Sequence, residues 1–199
     1  MPLASGLHDV PPGHLATVVT HLEMRSPAPV RAERAQAPWT LRRVERPELP
    51  WYRDLFRHVG ADWLWTSRLT LTDEALGRIL HHHDVEVHAL AINGRDEGLL
   101  ELDFRSPREC ELSFFGLSAA LVGRGAGRWL MNRAIERAWA RDIGRFWLHT
   151  CSLDSPAALG FYQRSGFVPF ARQVEVFPDP RLIGVLPRSA AGQEPVIAG

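Results

Sequence analysis

Residues 117–130 read LSAALVGRGAGRWL, with glycine at every second position from Gly123 to Gly127. The apolar segment from Glu111 to Leu117 predicts a short strand before this stretch, and the residues after the glycines predict a helix. Glycine allows successive backbone N–H groups to turn toward one point, and the amino end of a helix adds a positive dipole. The stretch therefore predicts a loop that binds a phosphate or pyrophosphate group.

Two common phosphate-binding loops do not fit this stretch. A P-loop ends in Gly-Lys-Ser/Thr, whereas Gly127 is followed by Arg128 and Trp129. A dinucleotide-binding turn requires an acidic residue at the end of the next strand, whereas Asp142 precedes that strand. Both kinds of loop are excluded.

The composition predicts a single globular domain. The chain has 199 residues, of which 45% are hydrophobic, enough to bury a sizeable core. Lys plus Arg and Asp plus Glu each number 23, so no global basic field favours nucleic acid or an anionic membrane as a partner. The chain contains no lysine, which excludes a catalytic lysine amine. No apolar run reaches roughly 20 residues and residues 1–10 do not resemble a signal peptide, so a cytoplasmic location is expected.

Hydrophobic periodicity and turn signals predict the order of strands and helices. Asn93-Gly94 is a strong hairpin signal, and Thr72 is placed to cap a helix. The predicted elements are a candidate extra strand at 15–24, a strand at 39–45, helices at 47–59 and 72–82, strands at 85–92, 98–104 and 109–117, a helix at 125–140, a strand at 145–151, a helix at 154–165 and a final strand or hairpin at 167–177. This order indicates a mixed sheet covered by helices.

The glycine stretch resembles the acyl-CoA pyrophosphate loop of the GNAT superfamily of N-acetyltransferases, whose pattern is Gln/Arg-x-x-Gly-x-Gly/Ala. Gly125 and Gly127 match, while Val122 stands where the family usually has Gln or Arg. Residues 155–167 resemble a second family segment, Asn-x-x-Ala-x-x-x-Tyr-x-x-x-Gly-Phe. Its matching residues are Ala158, Tyr162, Gly166 and Phe167, with Ser155 in place of the usual Asn. The resemblance covers roughly residues 39–177.

The resemblance implies an α/β (α+β) fold, with a mixed, mostly antiparallel sheet that contains a splayed parallel pair and is flanked by helices. It divides the chain into an N-terminal extension at 1–38, a GNAT-like N-acetyltransferase domain at 39–177 and a C-terminal tail at 178–199. The tail carries four prolines and little periodicity, so loose attachment is expected. Cys110 and Cys151 would lie at opposite ends of the parallel pair, so no disulfide is expected between them.

The family resemblance also implies acetyl-CoA as co-substrate and no metal. In the family, pantetheine enters the gap between the splayed strands, where it satisfies exposed backbone groups, and the glycine loop holds the pyrophosphate. The implied acetyl-CoA contacts are Leu117, Ser118, Ala119, Val122, Gly123, Arg124, Gly125, Ala126, Gly127, Arg128, Ser155 and Tyr162.

Glu111 is the candidate general base, because its strand resembles the one that carries a catalytic glutamate in histone-type family members. A carboxylate that faces an apolar cleft has a raised pKa, which suits a base that acts near neutrality. Glu101 and Asp103 share one face of the preceding predicted strand and are the rival bases. Tyr162 would protonate the departing thiolate, with aromatic packing as its alternative role.

Three further groups have both a functional and a structural interpretation. His81–His83 suggest a metal site, but consecutive helical positions point about 100° apart, so the three side chains cannot converge on one ion. The preferred interpretation is that partial positive charge on these histidines stabilises the carboxyl end of a helix. His149 could touch substrate or lie in the core. The resemblance places the binding site of the acceptor amine near Trp51, Asp62, Trp63 and Trp65. Packing of the tryptophans in the core or in a lid is an equally weighted alternative.

The sequence thus predicts an N-acetyltransferase that moves the acetyl group of acetyl-CoA to a primary amine by direct attack. The acceptor would be a small molecule or a peptide, with neither nucleic acid nor membrane as partner. A non-catalytic acyl-CoA-binding sensor or regulatory module is the alternative function. A homodimer formed through the strand at 15–24 is a further candidate interaction.

Overall fold

One seven-stranded sheet organises the computed structural model, which describes residues 3–33 and 38–198. The elements are β1 His14–Met24, β2 Thr40–Val44, α1 Leu49–Gly60, α2 Asp73–Leu80, β3 Val85–Ile92, β4 Arg95–Asp103, β5 Glu109–Leu117, α3 Ala126–Trp139, β6 Arg145–Cys151, α4 Ala158–Arg164 and β7 Val168–Pro178. The strand order is β2-β3-β4-β5-β6-β1-β7, and only β5 and β6 are parallel neighbours. The predicted fold class, a mixed and mostly antiparallel sheet with one parallel pair flanked by helices, is confirmed.

The parallel pair β5–β6 separates part-way along its length. Its register runs only from Glu109 opposite Arg145 to Glu111 opposite Trp147. Beyond that point, residues 112–117 of β5 and 148–151 of β6 do not pair with each other. The two strands therefore open a gap whose β5 side carries backbone groups with no partner on β6.

The N-terminal strand β1 lies between β6 and β7. Residues 19–24 pair with β6 on one edge, and residues 14–23 pair with β7 on the other. The predicted extra strand therefore exists and is an integral part of the sheet. β1 is therefore an inner strand of the sheet, and a homodimer formed through it stays a prediction.

Helices cover both faces of the sheet. The side chains between α1, α2 and the first face include Tyr52, Phe56, Leu76, Leu80, Val87, Ala89 and Leu99. Those between α3, α4 and the second face include Leu22, Leu100, Leu130, Met131, Ala134, Phe146 and Phe167. Both cysteines are free, as expected. In the described residues, no helix has the length and apolar character needed to cross a membrane.

The C-terminal segment packs closely against the domain, so the expectation of a loosely attached tail is wrong. Asp179 and Arg181 form a buried ion pair at 2.7 Å, and Leu186 and Ala191 are buried against the loop between α1 and α2. The side chain of Gln193 donates a 2.7 Å hydrogen bond to the carbonyl of Asp62. Buried partners that are distant in sequence hold this segment despite its weak periodicity.

His88 is a fully buried histidine on β3, facing α3. Its two ring nitrogens have no hydrogen-bond partner among the described residues, and Nε2 lies 3.7 Å from an oxygen of Glu86. Burial lowers the pKa of His88 to about 4, and the nearby positive charge of Arg137 contributes in the same direction. The folded protein therefore holds this imidazole in the neutral form.

The stability of the protein is expected to fall as His88 is driven to protonate. The unfolded chain takes up the proton near pH 6.5 and the folded protein only near pH 4, so stability is lost as the pH falls from 7 toward 4. Between pH 7 and pH 5 this group contributes a loss of up to about 2 kcal/mol. Urea unfolding of the wild type and of His88→Leu at both pH values measures the difference. An equal pH dependence in the two proteins would contradict the assignment.

Candidate active site

The glycine loop forms the amino end of α3. Gly123 and Gly125 adopt φ angles of +75° and +93°, a left-handed conformation that favours glycine. The first bond of the helix runs from the N–H of Trp129 to the carbonyl of Gly125, at 3.2 Å. The N–H groups of Ala126, Gly127 and Arg128 therefore have no acceptor within the helix, as at any helix start. The loop has the backbone geometry that favours an anion.

A cavity of about 310 Å³, here called the loop cavity, lies between this loop and α4. It occupies the place where β5 and β6 have separated, and apolar side chains of β5 and α4 line much of its wall. Six of the predicted acetyl-CoA residues line it, namely Leu117, Val122, Gly123, Gly127, Ser155 and Tyr162.

The other six predicted acetyl-CoA residues do not line the loop cavity. Ser118 is buried, and Arg128 donates a 2.9 Å hydrogen bond to the carbonyl of Ala32. The side chain of Arg124 lines a separate groove beside the turn between β3 and β4. The remaining three residues that do not line the loop cavity are Ala119, Gly125 and Ala126.

A second cavity of about 330 Å³, here called the strand cavity, opens on the face of the sheet that α1 and α2 cover. Its walls include the loop after α1, the separated ends of β5 and β6, and the neighbouring parts of β1 and β7. The two cavities are adjacent, because they share five wall residues. These are Trp63, Trp65, Phe115, Asp154 and Tyr162.

Tyr162 stands at the junction of the two cavities. Its ring packs edge-on against Phe115, Phe161 and Phe167. Tyr162 therefore has aromatic packing partners and also lines both cavities. Burial raises the pKa of Tyr162 well above its usual value, and the charge of Asp154 adds to this rise. The phenol therefore keeps its proton at neutral pH.

The three candidate carboxylates lie on one face of the sheet but have different partners. A register shift in the β4–β5 pair sets Asp103 opposite Glu111 and Glu101 opposite Phe114. Glu101 is fully buried and accepts hydrogen bonds from Tyr52 and, at 2.5 Å, from Arg68.

Asp103 is held by the guanidinium group of Arg105. Burial alone would raise its pKa, but the hydrogen bonds from Arg105 outweigh this and hold the pKa below its usual value. Both Glu101 and Asp103 are therefore occupied as ion-pair partners of arginine.

Glu111 differs from its two rivals in having no hydrogen-bond donor among the described residues. Burial raises its pKa to about 7, and the negative charge of Asp103 adds to this rise. Its closest potential cation is His149, whose Nδ1 lies 3.9 Å from Oε1 of Glu111. Glu111 does not line the strand cavity, but its neighbour His149 does.

A family model of GNAT acetyltransferases matches residues 33–167 of this chain. The chain belongs to the GNAT acetyltransferase family. A search among curated proteins found no match.

Solved structures share this GNAT fold at low sequence identity. A Staphylococcus epidermidis protein of unknown function has a TM-score of 0.56 and 12% identity; the match covers 84% of this chain and 63% of the other. A GNAT-family protein described as a putative acetyltransferase, from Novosphingobium aromaticivorans, has a TM-score of 0.55 and 20% identity, covering 85% and 68%. A GNAT acetyltransferase from Elizabethkingia anophelis with acetyl-CoA bound has a TM-score of 0.52 and 17% identity, covering 68% and 80%.

Asp154 lines both cavities, although the sequence did not single it out. Its carboxylate accepts hydrogen bonds from Trp65 Nε1 at 3.0 Å, Thr150 Oγ1 at 2.6 Å and the N–H of Cys151 at 2.9 Å. It therefore ties the free end of β6 to the loop after α1. In the sequence it stands where a helix begins, which suggested only a local role.

The predicted acceptor-side residues separate into two groups. Trp63 and Trp65 line both cavities. Trp51 instead donates a 3.0 Å hydrogen bond to Asp96, and Asp62 lines neither cavity. Of these four residues, only the two tryptophans of the loop after α1 line the loop cavity and the strand cavity.

The histidine run lies apart from both cavities. Helix α2 ends at Leu80, so His81–His83 occupy a turn, and the argument from helical spacing does not apply to them. The potential ligand atoms of His82, His83 and Asp84 lie within 4.8 Å of one another. These residues line neither the loop cavity nor the strand cavity.

Glu111 is expected to titrate near pH 7. Since the charge of Asp103 contributes to the raised pKa, Asp103→Asn should lower it. Carbon-13 NMR of the glutamate carboxyl groups measures the titration, and Glu111→Gln identifies the resonance. Asp142→Asn is a matched control, because Asp142 is exposed and pairs with Arg108. A Glu111 carboxyl that titrates near its ordinary value of about 4.3 would contradict the assignment.

Proposed function

We propose that this protein transfers the acetyl group of acetyl-CoA to a primary amine by direct attack on the thioester. The observation that carries the proposal is the junction of the two cavities at Tyr162 and Phe115, because it joins the cavity beside the glycine loop to a cavity beside a carboxylate of raised pKa. One cavity would hold the acyl donor and the other the acceptor.

The loop cavity suits acetyl-CoA. The pyrophosphate would accept hydrogen bonds from the backbone N–H groups of the glycine loop and the start of α3, so Gly125 and Ala126 would contribute through their backbone rather than their side chains. The pantetheine arm would run along residues 112–117, whose backbone groups on that edge lack a partner in β6. A backbone N–H near Leu117 would polarise the thioester carbonyl.

The Glu111 carboxylate would promote removal of the amine proton, and Tyr162 would act as the proton donor. A carboxyl with a pKa of about 7 is matched to proton transfer near neutrality. Glu101 and Asp103 are less suited, because each carboxylate is already neutralised by an arginine. Tyr162, protonated and placed between the cavities, would give its proton to the thiolate as the C–S bond breaks.

The strand cavity favours a small amine with an apolar or aromatic body. Trp63, Phe114 and Phe177 supply aromatic wall, while Asp154 and Glu175 supply negative charge that suits an ammonium group. A small molecule or the end of a peptide chain fits a volume of about 330 Å³.

Thiol release from acetyl-CoA tests the proposal directly. The purified protein is incubated with acetyl-CoA and, in turn, with alkylamines, arylamines, amino acids and peptides, and free CoA is measured. Amine-dependent release is expected, together with an acetylated product detected by mass spectrometry. Binding of CoA without release for any amine would favour the acyl-CoA sensor instead.

Tyr162→Phe is expected to lower kcat by at least about tenfold, because the substitution removes the proton donor and preserves the ring. The dissociation constant of CoA should remain within a factor of about two, since the aromatic packing is retained. Stopped-time assays with the best amine of the panel, from pH 6 to pH 9, give kcat. An unchanged kcat across that range would remove Tyr162 from the proton-donor role.

A further inference from the structure

His149 occupies the position between Glu111 and the strand cavity. It lies on β6 two residues beyond Trp147, the last residue that pairs with β5, so its side chain stands where the strands have separated. The imidazole lines the cavity with 49% of its side chain exposed. Glu111 does not line the cavity, and its Oε1 lies 3.9 Å from His149 Nδ1.

We propose that His149 is the residue that takes the proton from the acceptor amine, and that Glu111 is the positioning carboxylate behind it. This inference rests on the proposed acetyl transfer and assigns its first proton transfer to a residue in contact with the acceptor. Nδ1 is the ring nitrogen nearer the carboxylate, at a separation of 3.9 Å, which leaves Nε2 as the nitrogen that would accept a proton from the cavity. The arrangement is that of a base oriented by a third group.

The charged and titratable groups around His149 come from four elements. Glu111 faces it from β5, His21 from β1 with ring centroids 5.7 Å apart, Glu175 from β7 and Asp154 from the loop after β6. Partial burial lowers the pKa of His149, and His21 contributes in the same direction, while Asp154 and Glu175 oppose the shift. The imidazole is therefore neutral near pH 7, which is the form that accepts a proton.

The proton and bond changes balance. Nε2 of His149 removes one proton from the ammonium form of the acceptor, and the freed lone pair forms the C–N bond with the thioester carbonyl carbon. The C–S bond breaks, and the thiolate takes a proton from Tyr162. The amine nitrogen loses its second proton as the amide forms, and this proton restores Tyr162. The imidazolium then releases its Nε2 proton to solvent through the cavity, which restores the neutral ring with its proton on Nδ1, so the products are amide, thiol and one released proton.

Nitrogen-15 NMR of the imidazole tests the pair without any acceptor. The proposal predicts a neutral His149 with its proton on Nδ1, and a loss of this tautomer preference in Glu111→Gln. Assignment comes from the resonances missing in His149→Gln. A wild-type ring protonated on Nε2, or a ring that does not respond to Glu111→Gln, would overturn the proposal.

Kinetics with acetyl-CoA and the best amine of the panel test the catalytic role. His149→Gln should lower kcat/KM about 100-fold and abolish the acidic limb of its pH profile. His149→Ala should regain activity with rising imidazole concentration, which a purely structural residue would not show. His21→Gln is the matched control, because His21 is adjacent, bonds to Gln173 and does not line the cavity. Its kcat/KM should change less than about threefold.

The outcomes separate this inference from the proposed function. If Glu111→Gln loses activity while His149→Gln keeps the wild-type rate and pH profile, the role of His149 as the base is overturned and acetyl transfer stands. If the wild type releases no thiol with any amine, acetyl transfer itself is overturned. Loss of activity in both variants, with recovery of His149→Ala activity by added imidazole, supports His149 as the base and Glu111 as its positioning residue.

Discussion

The separation of β5 from β6 after the Glu111–Trp147 pair is the constraint on which the rest of the structure depends. Backbone N–H and C=O groups inside a sheet need partners, so a gap between neighbouring strands is costly unless something else satisfies them. In this protein the gap is bounded by two cavities that meet at Tyr162. A ligand that adds its own hydrogen bonds along β5 would complete the sheet there.

Other parts of the fold hold this gap open. Asp154 anchors the free end of β6 to Trp65, so β6 is not free to close on β5. On its other edge β6 is paired with β1, which in turn carries β7. The C-terminal segment packs on the loop after α1 and supports the wall of the strand cavity from outside. The opening is thus the result of contacts distributed over the whole chain.

Local sequence predicted the elements that carry their own signals. The strands 85–92 and 145–151 have the predicted bounds, and Asn93 and Gly94 both adopt the positive φ of a tight hairpin. Thr72 caps α2 by accepting a hydrogen bond from the N–H of Ala75. The glycine loop was found because its conformation depends on glycine itself.

Long-range arrangements could not be predicted in the same way. The insertion of β1 between β6 and β7 depends on pairing between residues more than 120 positions apart, which no local pattern encodes. Arg68 pairs with Glu101 and Arg105 pairs with Asp103, and this pairing is what distinguishes these two carboxylates from Glu111. Only the folded structure brings Arg68 to Glu101. The contact of His149 with Glu111 joins two different strands, so neither residue alone indicated it.

Backbone hydrogen exchange with and without acetyl-CoA tests most directly whether the gap between β5 and β6 is the acyl-donor site. We expect acetyl-CoA to slow amide exchange in residues 112–117 and in the loop at 122–128, while residues 109–111, already paired with β6, should change little. Protection confined to other parts of the chain, or none at all at saturating acetyl-CoA, would contradict this expectation.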